Sequence, residues 1–461
     1  MLKIHVVRDG GYRYYVDDLV PGRAEGTLVA GESPGTWSGA GSASLGLRGT
    51  VEAQDFADLL GGRDPGSGRA LRNPRGDRGV SGYDLTFCAP KSVSLLHLLA
   101  PREMADEVGA GHRDAVAEAI GYLDRAAAGV RRTRNGQMTL MASTGLVSGQ
   151  FIHRTSRTLD PHLHTHVVAA NVAQGVDGAW STLDSRRVYA HLRAARGVYH
   201  ARLRGELTER LGVAWKVPPS GLGDVVGVDE TLRRLFSQRS ADMDEYVHHH
   251  SGRTDGSRQR QVASLVTRPD KDRSRTVEGL VAEWRTRAAE FGYHPGELTR
   301  VVGLGRAAGD GPTIDSDRLH ARLDEIGATG CSLAHRDLVA EVAAAATAGA
   351  PARIIESFAT GMTRAAGASS DGLARSDSTF ASAAGRTLPT GDERWKAADL
   401  AGALDRQIGG WGSGPGDRLS SSVGIDRAAA QLGREVRRVG DHGGRAVAGI
   451  QRDRRRFELG R

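Results

Sequence analysis

The segment with the clearest potential for chemistry carries three histidines. It reads QFIHRTSRTLDPHLHTHVV over residues 150–168. His164 and His166 are two residues apart in a stretch typical of a strand, so both side chains leave the same face. His153 lies on the preceding apolar stretch, and Thr158–Pro161 supplies turn residues, so a hairpin can bring His153 opposite the pair. Three neutral imidazoles on one sheet face, with open coordination positions, predict a divalent-metal site of catalytic type.

The ligand set is limited to these three histidines. A lone His-x-His pair is more often structural, and the third histidine at hairpin distance is what favours a metal site here. His162 is left out of the ligand set. The run His248–His250 has polar flanks and is predicted to lie in a solvated loop. Because three imidazoles with open positions accept Zn, Mn, Ni or Mg, the sequence leaves the metal open.

A cluster of tyrosines near the N-terminus is the second group that could do chemistry. Tyr12, Tyr14 and Tyr15 lie within four residues, next to Asp17 and Asp18, in a chain with nine tyrosines. Burial of the aromatic rings is the ordinary explanation for one or two of them. A tyrosine nucleophile is the alternative. Because a phenol has a pKa of about 10, its attack on phosphorus near neutral pH needs a base or a nearby cation. A metal held by three histidines would supply that cation and neutralise the non-bridging oxygens.

Composition limits the classes of protein that fit. The chain has 461 residues, with 62 lysines and arginines against 55 acidic residues, and the net charge is +7. Nearly all the basic residues are arginine, which suits phosphate or single-strand contacts, although a GC-rich genome produces the same bias. Cys88 and Cys331 are too few for a disulfide scaffold or a cysteine-built zinc site. With no apolar run of membrane-spanning length and no signal-peptide segment, a soluble, cytoplasmic protein is expected.

The pattern along the chain predicts one large globular part followed by two smaller ones. Residues 1–295 combine strand-like apolar runs with helical patterns over 102–129 and 186–211. Residues 296–358 form a weaker helical segment. Residues 359–461 are rich in Gly, Ser, Ala and Arg and are predicted to be a flexible tail. The arginine runs near the end of this tail fit a solvated helix or a non-specific nucleic-acid contact.

Five stretches, taken in order, resemble the TrwC/TraI-like MobF relaxases of conjugative plasmids, a family of the HUH endonuclease superfamily. The stretch WSGAGSASLGLRG (37–49) is similar to the family's W-x-G-x-G-A-x-x-L-G-L-x-G, and YDLTFCAPKSVSL (83–95) is similar to its D-L-T-F-S-A-P-K-S-V-S. The tyrosine pair, the three-histidine segment and WSTLD (180–184) with the helix after it are the other three. Together the five stretches span residues 1–295.

The resemblance implies an α+β fold. In this fold an antiparallel-sheet palm flanked by helices carries the metal, and helical fingers close over single-stranded DNA. It also implies a metal-dependent, site-specific endonuclease that works by transesterification. A tyrosine attacks the scissile phosphate at the plasmid's transfer origin, stays bound to the 5′ phosphate and frees a 3′ hydroxyl. The phosphotyrosine bond keeps the reaction reversible, so the strand can be rejoined without ATP.

Site residues are carried over from the family by position. Tyr14 is the implied nucleophile and Tyr15 its neighbour. His153, His164 and His166 are the implied ligands of a divalent ion, Mg, Mn or Zn.

The same resemblance implies supporting roles for four further residues. Asp84, in the D-L-T-F motif, orients a ligand histidine, which fixes its tautomer and raises its basicity, and it is also a candidate to take the tyrosine proton. Lys91, in the same motif, is a candidate phosphate contact, with a salt-bridged surface lysine as the alternative. Arg154 and Arg157 on the hairpin are further candidate DNA contacts.

The chain departs from the family pattern in two places. The best-studied members carry a second tyrosine pair, but the corresponding stretch LVPGRAEG (19–26) has no tyrosine. A second cleavage would therefore use Tyr15, Tyr12 or another copy of the protein. Larger relatives continue into a helicase, whose phosphate-binding loop needs a Gly-Lys dipeptide that this chain lacks. Because residues 332–356 resemble only the lead-in to that helicase, nicking and rejoining without unwinding is expected.

The implied partners are single-stranded DNA at the transfer origin, a type IV secretion coupling protein and accessory DNA-binding proteins. We do not expect membrane insertion. We do expect transfer of the protein to the recipient cell together with the DNA. Two alternative functions stay open. A rolling-circle replication initiator usually places its tyrosine after the histidines, whereas Tyr14 precedes them here. A non-catalytic origin-binding protein would not need to retain every predicted catalytic residue.

Overall fold

The computed structural model describes residues 1–8, 34–72, 79–134, 136–249, 262–263, 266, 275–305, 314–367, 380–381, 387–388 and 393–409. Tyr14 and Tyr15, predicted as nucleophile and neighbour, lie outside these ranges, as does Tyr12. The predicted metal ligands lie within them. Among the described helices, none is long and apolar enough to cross a membrane.

Strands are numbered in chain order. They are β1 (Leu2–Arg8), β2 (Thr36–Ser38), β3 (Val80–Cys88), β4 (Gly129–Arg134), β5 (Gln137–Ala142), β6 (Ser148–Thr155), β7 (Pro161–Ala170), β8 (Ala173–Gln174), β9 (Trp180–Ser181), β10 (Trp215–Lys216), β11 (Asp224–Val225), β12 (Ser332–Ala334), β13 (Phe380–Ala381), β14 (Thr387–Leu388) and β15 (Arg394–Lys396). Five of them form an antiparallel sheet in the order β1–β3–β7–β6–β2. The remaining strands pair two by two. The three inner strands, β3, β7 and β6, carry the residues of the candidate site.

Helices surround this sheet. They are α1 (Ala53–Leu60), α2 (Lys91–Leu99), α3 (Arg102–Ala126), α4 (Ser185–Leu211), α5 (Glu230–Leu235), α6 (Gln238–His249), α7 (Val277–Ala289), α8 (Pro295–Leu298), α9 (Ser316–Ala328), α10 (His335–Ala345), α11 (Ala352–Gly367) and α12 (Ala397–Gly409), with short 3-10 turns at Ala40–Leu45 and Thr299–Val301. The long helix α3 buries Val108, Ala115, Ala119 and Leu123 on one stripe, as an amphipathic helix does. Helix α4 ends at Gly212, whose φ of 63° gives the left-handed C-terminal cap that favours glycine.

The alternation of β7 separates the two faces of the sheet. Leu163 and Val167 point into the large core formed with α2, α3 and α4. Val168 and Ala170 point to the other face and pack in a smaller cluster that includes Phe56 of α1. By the two-residue period of a strand, the histidines at 164 and 166 share the face of Val168. One face of the sheet therefore carries the main core, and the other carries the smaller cluster and the histidines.

Part of the segment predicted as a flexible tail is folded. Helix α11 continues to Gly367, across the predicted boundary at 358, and β15 pairs with β12. Helix α12 packs on α9 and α11, and it buries Leu400 and Leu404, four residues apart on one helical face. The apolar pattern of Leu400 and Leu404 is short and lies in a Gly- and Ser-rich region, so the composition of that region did not predict a helix.

The run His248–His250 also differs from its prediction. His248 and His249 are exposed, as expected for a solvated segment, but they form the last residues of helix α6 rather than a loop. His250 lies outside the described residues.

Candidate metal centre

The β6–β7 hairpin predicted from the sequence is present, and it brings the three histidines together. His153 pairs directly across the strands with His164, and Phe151 pairs with His166. The candidate ligand nitrogens of the three imidazoles all lie within 4.8 Å of one another. Metal–nitrogen bonds of about 2.1 Å to a single ion would draw the rings somewhat closer than this. The arrangement is the one that a three-histidine metal centre requires.

Hydrogen bonds orient two of these rings. His166 Nδ1 donates to both carboxylate oxygens of Asp84, at 2.9 Å each. His164 Nδ1 donates to the backbone carbonyl of His162 at 2.9 Å. With Nδ1 as the donor in both rings, Nε2 carries the lone pair that a metal ligand needs. The position of Asp84 is the one expected of a residue that orients a ligand histidine.

Thr86 belongs to the same hydrogen-bonded group, although the sequence reasoning did not single it out. It lies opposite His166 in the pairing of β3 with β7, two residues from Asp84. Its hydroxyl donates to Asp84 Oδ1 at 3.3 Å and lies 3.3 Å from His166 Nδ1. The two-residue spacing from Asp84 on a strand was the available signal, because it places both side chains on one face.

His162 is the fourth histidine of this face. Its ring stacks on that of His164, with centroids 4.8 Å apart and an interplanar angle of 29°. Burial, followed by the neighbouring His166, lowers the pKa of His164 to about 3, and burial also lowers the pKa of His162 well below its usual value. Both rings are therefore neutral near pH 7, which is the form that binds metal.

Lys91 contacts the first residue of β7. Its Nζ donates to the backbone carbonyl of Pro161 at 2.7 Å. Burial lowers the pKa of the ammonium to about 8, and the nearby carboxylate of Asp160 acts in the opposite direction. A lysine in this position supports the hairpin that carries the histidines. Its predicted contact with a DNA phosphate would have to compete with the bond to Pro161.

The turn of the hairpin is tied to helices that follow later in the chain. Leu159 has a φ of 57°, in the left-handed region that is uncommon for a residue with a side chain. Its carbonyl accepts a hydrogen bond from Trp284 Nε1 of α7 at 2.9 Å. Asp160 Oδ2 accepts one from the backbone N–H of Gln238, the first residue of α6, at 2.8 Å. The turn that joins the two strands of candidate ligands is thus held from outside the sheet.

The two candidate arginines of the hairpin lie in different surroundings. Arg154 lies near His97 of α2, whose pKa is lowered by burial first and also by the charge of Arg154. Helix α2 packs on the core side of β7, on the opposite face from the histidines. Arg157 lies in the turn and is half-buried. Contacts of either residue with DNA remain predictions.

Comparison with known proteins gives a consistent result. The family model of the TrwC relaxase matches residues 8–291. The multifunctional conjugation protein TraI of Escherichia coli is 34% identical over 307 residues, which cover 64% of this chain and 16% of that protein. Two solved structures of the conjugative relaxase TrwC in complex with oriT DNA, one metal-free and one metal-bound, superpose with TM-scores of 0.57 and 0.56 at 30% identity. Each covers 63% of this chain and 99% of the TrwC chain.

An antiparallel five-stranded sheet that gathers three histidines on its central strands, with a carboxylate behind one of them, defines a protein with the HUH-type palm. The match of the family model extends over more than half of the sequence. The chain belongs to the TrwC relaxase family. It spans 16% of the length of the curated relative that it matches, so the activities of that larger protein do not transfer to it as a whole.

Proposed function

We propose that this protein is a conjugative-plasmid relaxase, which nicks one DNA strand at a transfer origin and rejoins it. The observation that carries the proposal is the cluster of His153, His164 and His166 with Asp84 behind it, in a chain of the TrwC relaxase family. Further support comes from the TrwC relatives, which were solved in complex with oriT DNA. Single-stranded DNA at a transfer origin is accordingly the proposed substrate.

A divalent metal ion is the proposed cofactor, held by the three histidines. The donor set fits this role, because Nδ1 of His164 and of His166 is engaged by oxygen acceptors and Nε2 carries the lone pair. One TrwC relative was solved with metal bound. When bound, such an ion supplies positive charge that polarises the scissile phosphate and neutralises its non-bridging oxygens. Among Mg, Mn and Zn, an all-imidazole set favours Zn, since Mg prefers oxygen ligands.

Tyr14 is the proposed nucleophile and Tyr15 its neighbour, by the family resemblance. The phenol of Tyr14 gives up its proton as its oxygen bonds to phosphorus, the bond from phosphorus to the 3′ oxygen breaks, and the departing oxygen takes up one proton to become a 3′ hydroxyl. The reverse attack by that hydroxyl restores the strand and frees the tyrosine. Asp84 orients His166 in this scheme. Transfer of the tyrosine proton to Asp84 stays a prediction, since both of its oxygens contact His166.

Cleavage of a labelled single-stranded oligonucleotide that covers the transfer origin tests this proposal. We expect a nick in the presence of divalent metal, a protein–DNA adduct that survives denaturation, and loss of both with chelator. Tyr14→Phe should abolish the nick and the adduct while DNA binding persists. Tyr189→Phe is the matched control, because this tyrosine is 42% exposed on α4.

Two outcomes would count against the assignment. Absence of both nick and adduct with the origin oligonucleotide would rule out the nicking activity. If Tyr14→Phe supported plasmid transfer as well as the wild type, the origin-binding alternative would be favoured instead.

The remaining parts of the proposal concern the protein's setting in the cell. A coupling protein of a type IV secretion system, accessory DNA-binding proteins, a bacterial cytoplasmic location and transfer with the DNA are all proposed from the family resemblance. Co-purification of the protein with the coupling protein of its own plasmid, and its detection in recipient cells after mating, are the measurements that check them.

A further inference from the structure

A cleft of about 170 Å³ lies between α4 and the helices that follow the family-matched region, and the three-histidine cluster is not part of its lining. Arg193 and Arg196 of α4 form one wall. Arg322 of α9 and Glu341 of α10 form the opposite wall, and the loop at Gly221 closes one end. The cleft thus lies between the relaxase part of the chain and its helical extension.

Positive charge exceeds negative charge in this cleft. Glu341 is the one carboxylate among the described residues of the lining. It accepts hydrogen bonds from Arg193 at 2.5 Å and from Arg322 at 3.4 Å. Arg196 makes no ion pair within the described part of the chain. His200, also in the lining, adds no charge near pH 7, because burial lowers its pKa well below the usual value. The lining therefore holds three guanidinium groups and one carboxylate, and outside the lining Arg322 also pairs with Glu325 at 2.6 Å.

The environment of Arg196 is unfavourable for an unpaired cation. Burial, and then the charge of Arg193, lower the pKa of its guanidinium below the usual value. A half-buried arginine that is repelled by its neighbour is stabilised when an anion enters beside it. Glu341 cannot serve as that anion for all three arginines, since it is already shared by two of them.

We propose that this cleft binds a phosphate group between Arg193, Arg196 and Arg322. The planar guanidinium matches two phosphate oxygens at once, and several guanidiniums around one site are typical of phosphate recognition. The volume is below the roughly 300 Å³ of pockets that enclose a whole drug-sized ligand, so the cleft admits a phosphate group rather than a complete nucleotide. That phosphate could belong to a DNA backbone or be free inorganic phosphate. In either case it would link α4 to α9 by charge.

Titration of the full chain with inorganic phosphate, in a chloride buffer and followed by calorimetry, tests the site. Arg196→Ala should weaken phosphate binding about tenfold, the loss expected for one charge-assisted contact. Arg102→Ala is the matched control, because this arginine lies exposed on α3 and pairs with Asp106. No phosphate binding by the wild type, or equal binding by both variants, would overturn the proposal.

A second variant keeps the test decisive if Arg196→Ala fails to fold by circular dichroism. Glu341→Gln removes the carboxylate of the lining and releases Arg193, while Arg322 keeps its pair with Glu325, so phosphate should then bind more tightly than to the wild type. Misfolding could only weaken binding. Where Glu341→Gln keeps the circular-dichroism spectrum of the wild type, unchanged or weaker phosphate binding refutes the site.

The source of the phosphate is read from a separate measurement with an oligo(dT) strand. If Arg196→Ala lowers the affinity for this strand and inorganic phosphate competes with it, the site takes a DNA backbone phosphate. If Arg196→Ala leaves the affinity for DNA unchanged but weakens phosphate binding, the site takes free phosphate. Neither measurement reads nicking, so this inference stands or falls independently of the proposed function.

Discussion

Asp84 places a carboxylate behind His166, with both oxygens 2.9 Å from the ring nitrogen, and only 3% of the residue is exposed. Asp84→Asn keeps the shape but removes the charge that fixes the tautomer and raises the basicity of the ring. We expect zinc affinity, measured by competition with a chromophoric chelator, to fall by about 10- to 100-fold, the range typical of such partners. Asp106→Asn, an exposed acid on α3, should leave it unchanged. Equal zinc affinity for both variants would show that Asp84 does not orient a ligand.

A second prediction at this scale concerns a histidine remote from the site. His191 is buried, with its Nδ1 2.8 Å from the Tyr122 hydroxyl, and burial followed by the charges of Arg187 and Arg336 lowers its pKa to about 3. Below the ordinary pKa of about 6.5 the unfolded chain binds a proton there that the folded chain does not. Stability from this group is therefore complete above pH 6.5 and is lost as the pH falls towards 3.

The size of this effect can be measured by urea unfolding at pH 7 and pH 5. Between these values His191 should cost the wild type about 2 kcal/mol of unfolding free energy. Between pH 7 and pH 5, His191→Gln should lose about 2 kcal/mol less unfolding free energy than the wild type loses. His248→Gln, at an exposed position of α6, should lose as much as the wild type. If both variants lost the same unfolding free energy between pH 7 and pH 5, the loss would not come from His191.

Among the secondary-structure elements, the β6–β7 hairpin depends on helices that come more than seventy residues later. Trp284 of α7 donates to the carbonyl of Leu159 in the turn, and it is 3% exposed. Trp284→Phe leaves that carbonyl without its indole donor, which should lower the free energy of unfolding by about 1 kcal/mol. Because the turn joins the two ligand strands, zinc affinity should fall as well.

Trp215→Phe is the control for this prediction. Trp215 Nε1 donates to Thr208 Oγ1 at 3.0 Å, so this variant also loses one indole hydrogen bond, but away from the hairpin. Both variants should unfold more easily in urea, and only Trp284→Phe should bind zinc more weakly in chelator competition. A parallel loss of zinc affinity in both would mean that the hairpin responds to overall stability rather than to the support of its turn.

The hairpin also shows how far sequence reasoning reaches. The two-residue spacing of His164 and His166 and the turn residues before them were enough to predict a shared face opposite His153, because a strand has a fixed period. The tie of Trp284 to Leu159 could not be predicted in the same way. It joins residues 125 apart in the chain, and such a contact depends on how the helices pack. The same limit applies to Lys91, whose motif gives no sign that its ammonium contacts Pro161.

At the scale of the whole molecule, the relaxase part and the helical extension share one core. Leu338 and Val342 of α10 are fully buried in the same apolar cluster as Val198 of α4. Arg204, 1% exposed on α4, donates to the carbonyls of Ala343 and Ala346. The sequence placed a boundary near residue 295, where a helical pattern ends and the resemblance to the family stops. Neither signal reports that a buried arginine on one side finds its acceptors on the other.

Truncation tests this shared core. A chain that ends after Gly305 loses α9 to α12, which exposes the apolar face of α4 and deprives Arg204 of its acceptors on α10. Each buried aliphatic side chain contributes about 1.5–3 kcal/mol, so the loss of several should lower the melting temperature by at least about 10 °C. A chain that ends after Gly409 keeps α9 to α12 and the contacts with α4, and it should melt like the full-length protein. If the chain ending after Gly305 melts at the full-length temperature in scanning calorimetry, the extension is an independent unit, as the predicted boundary at residue 295 implies.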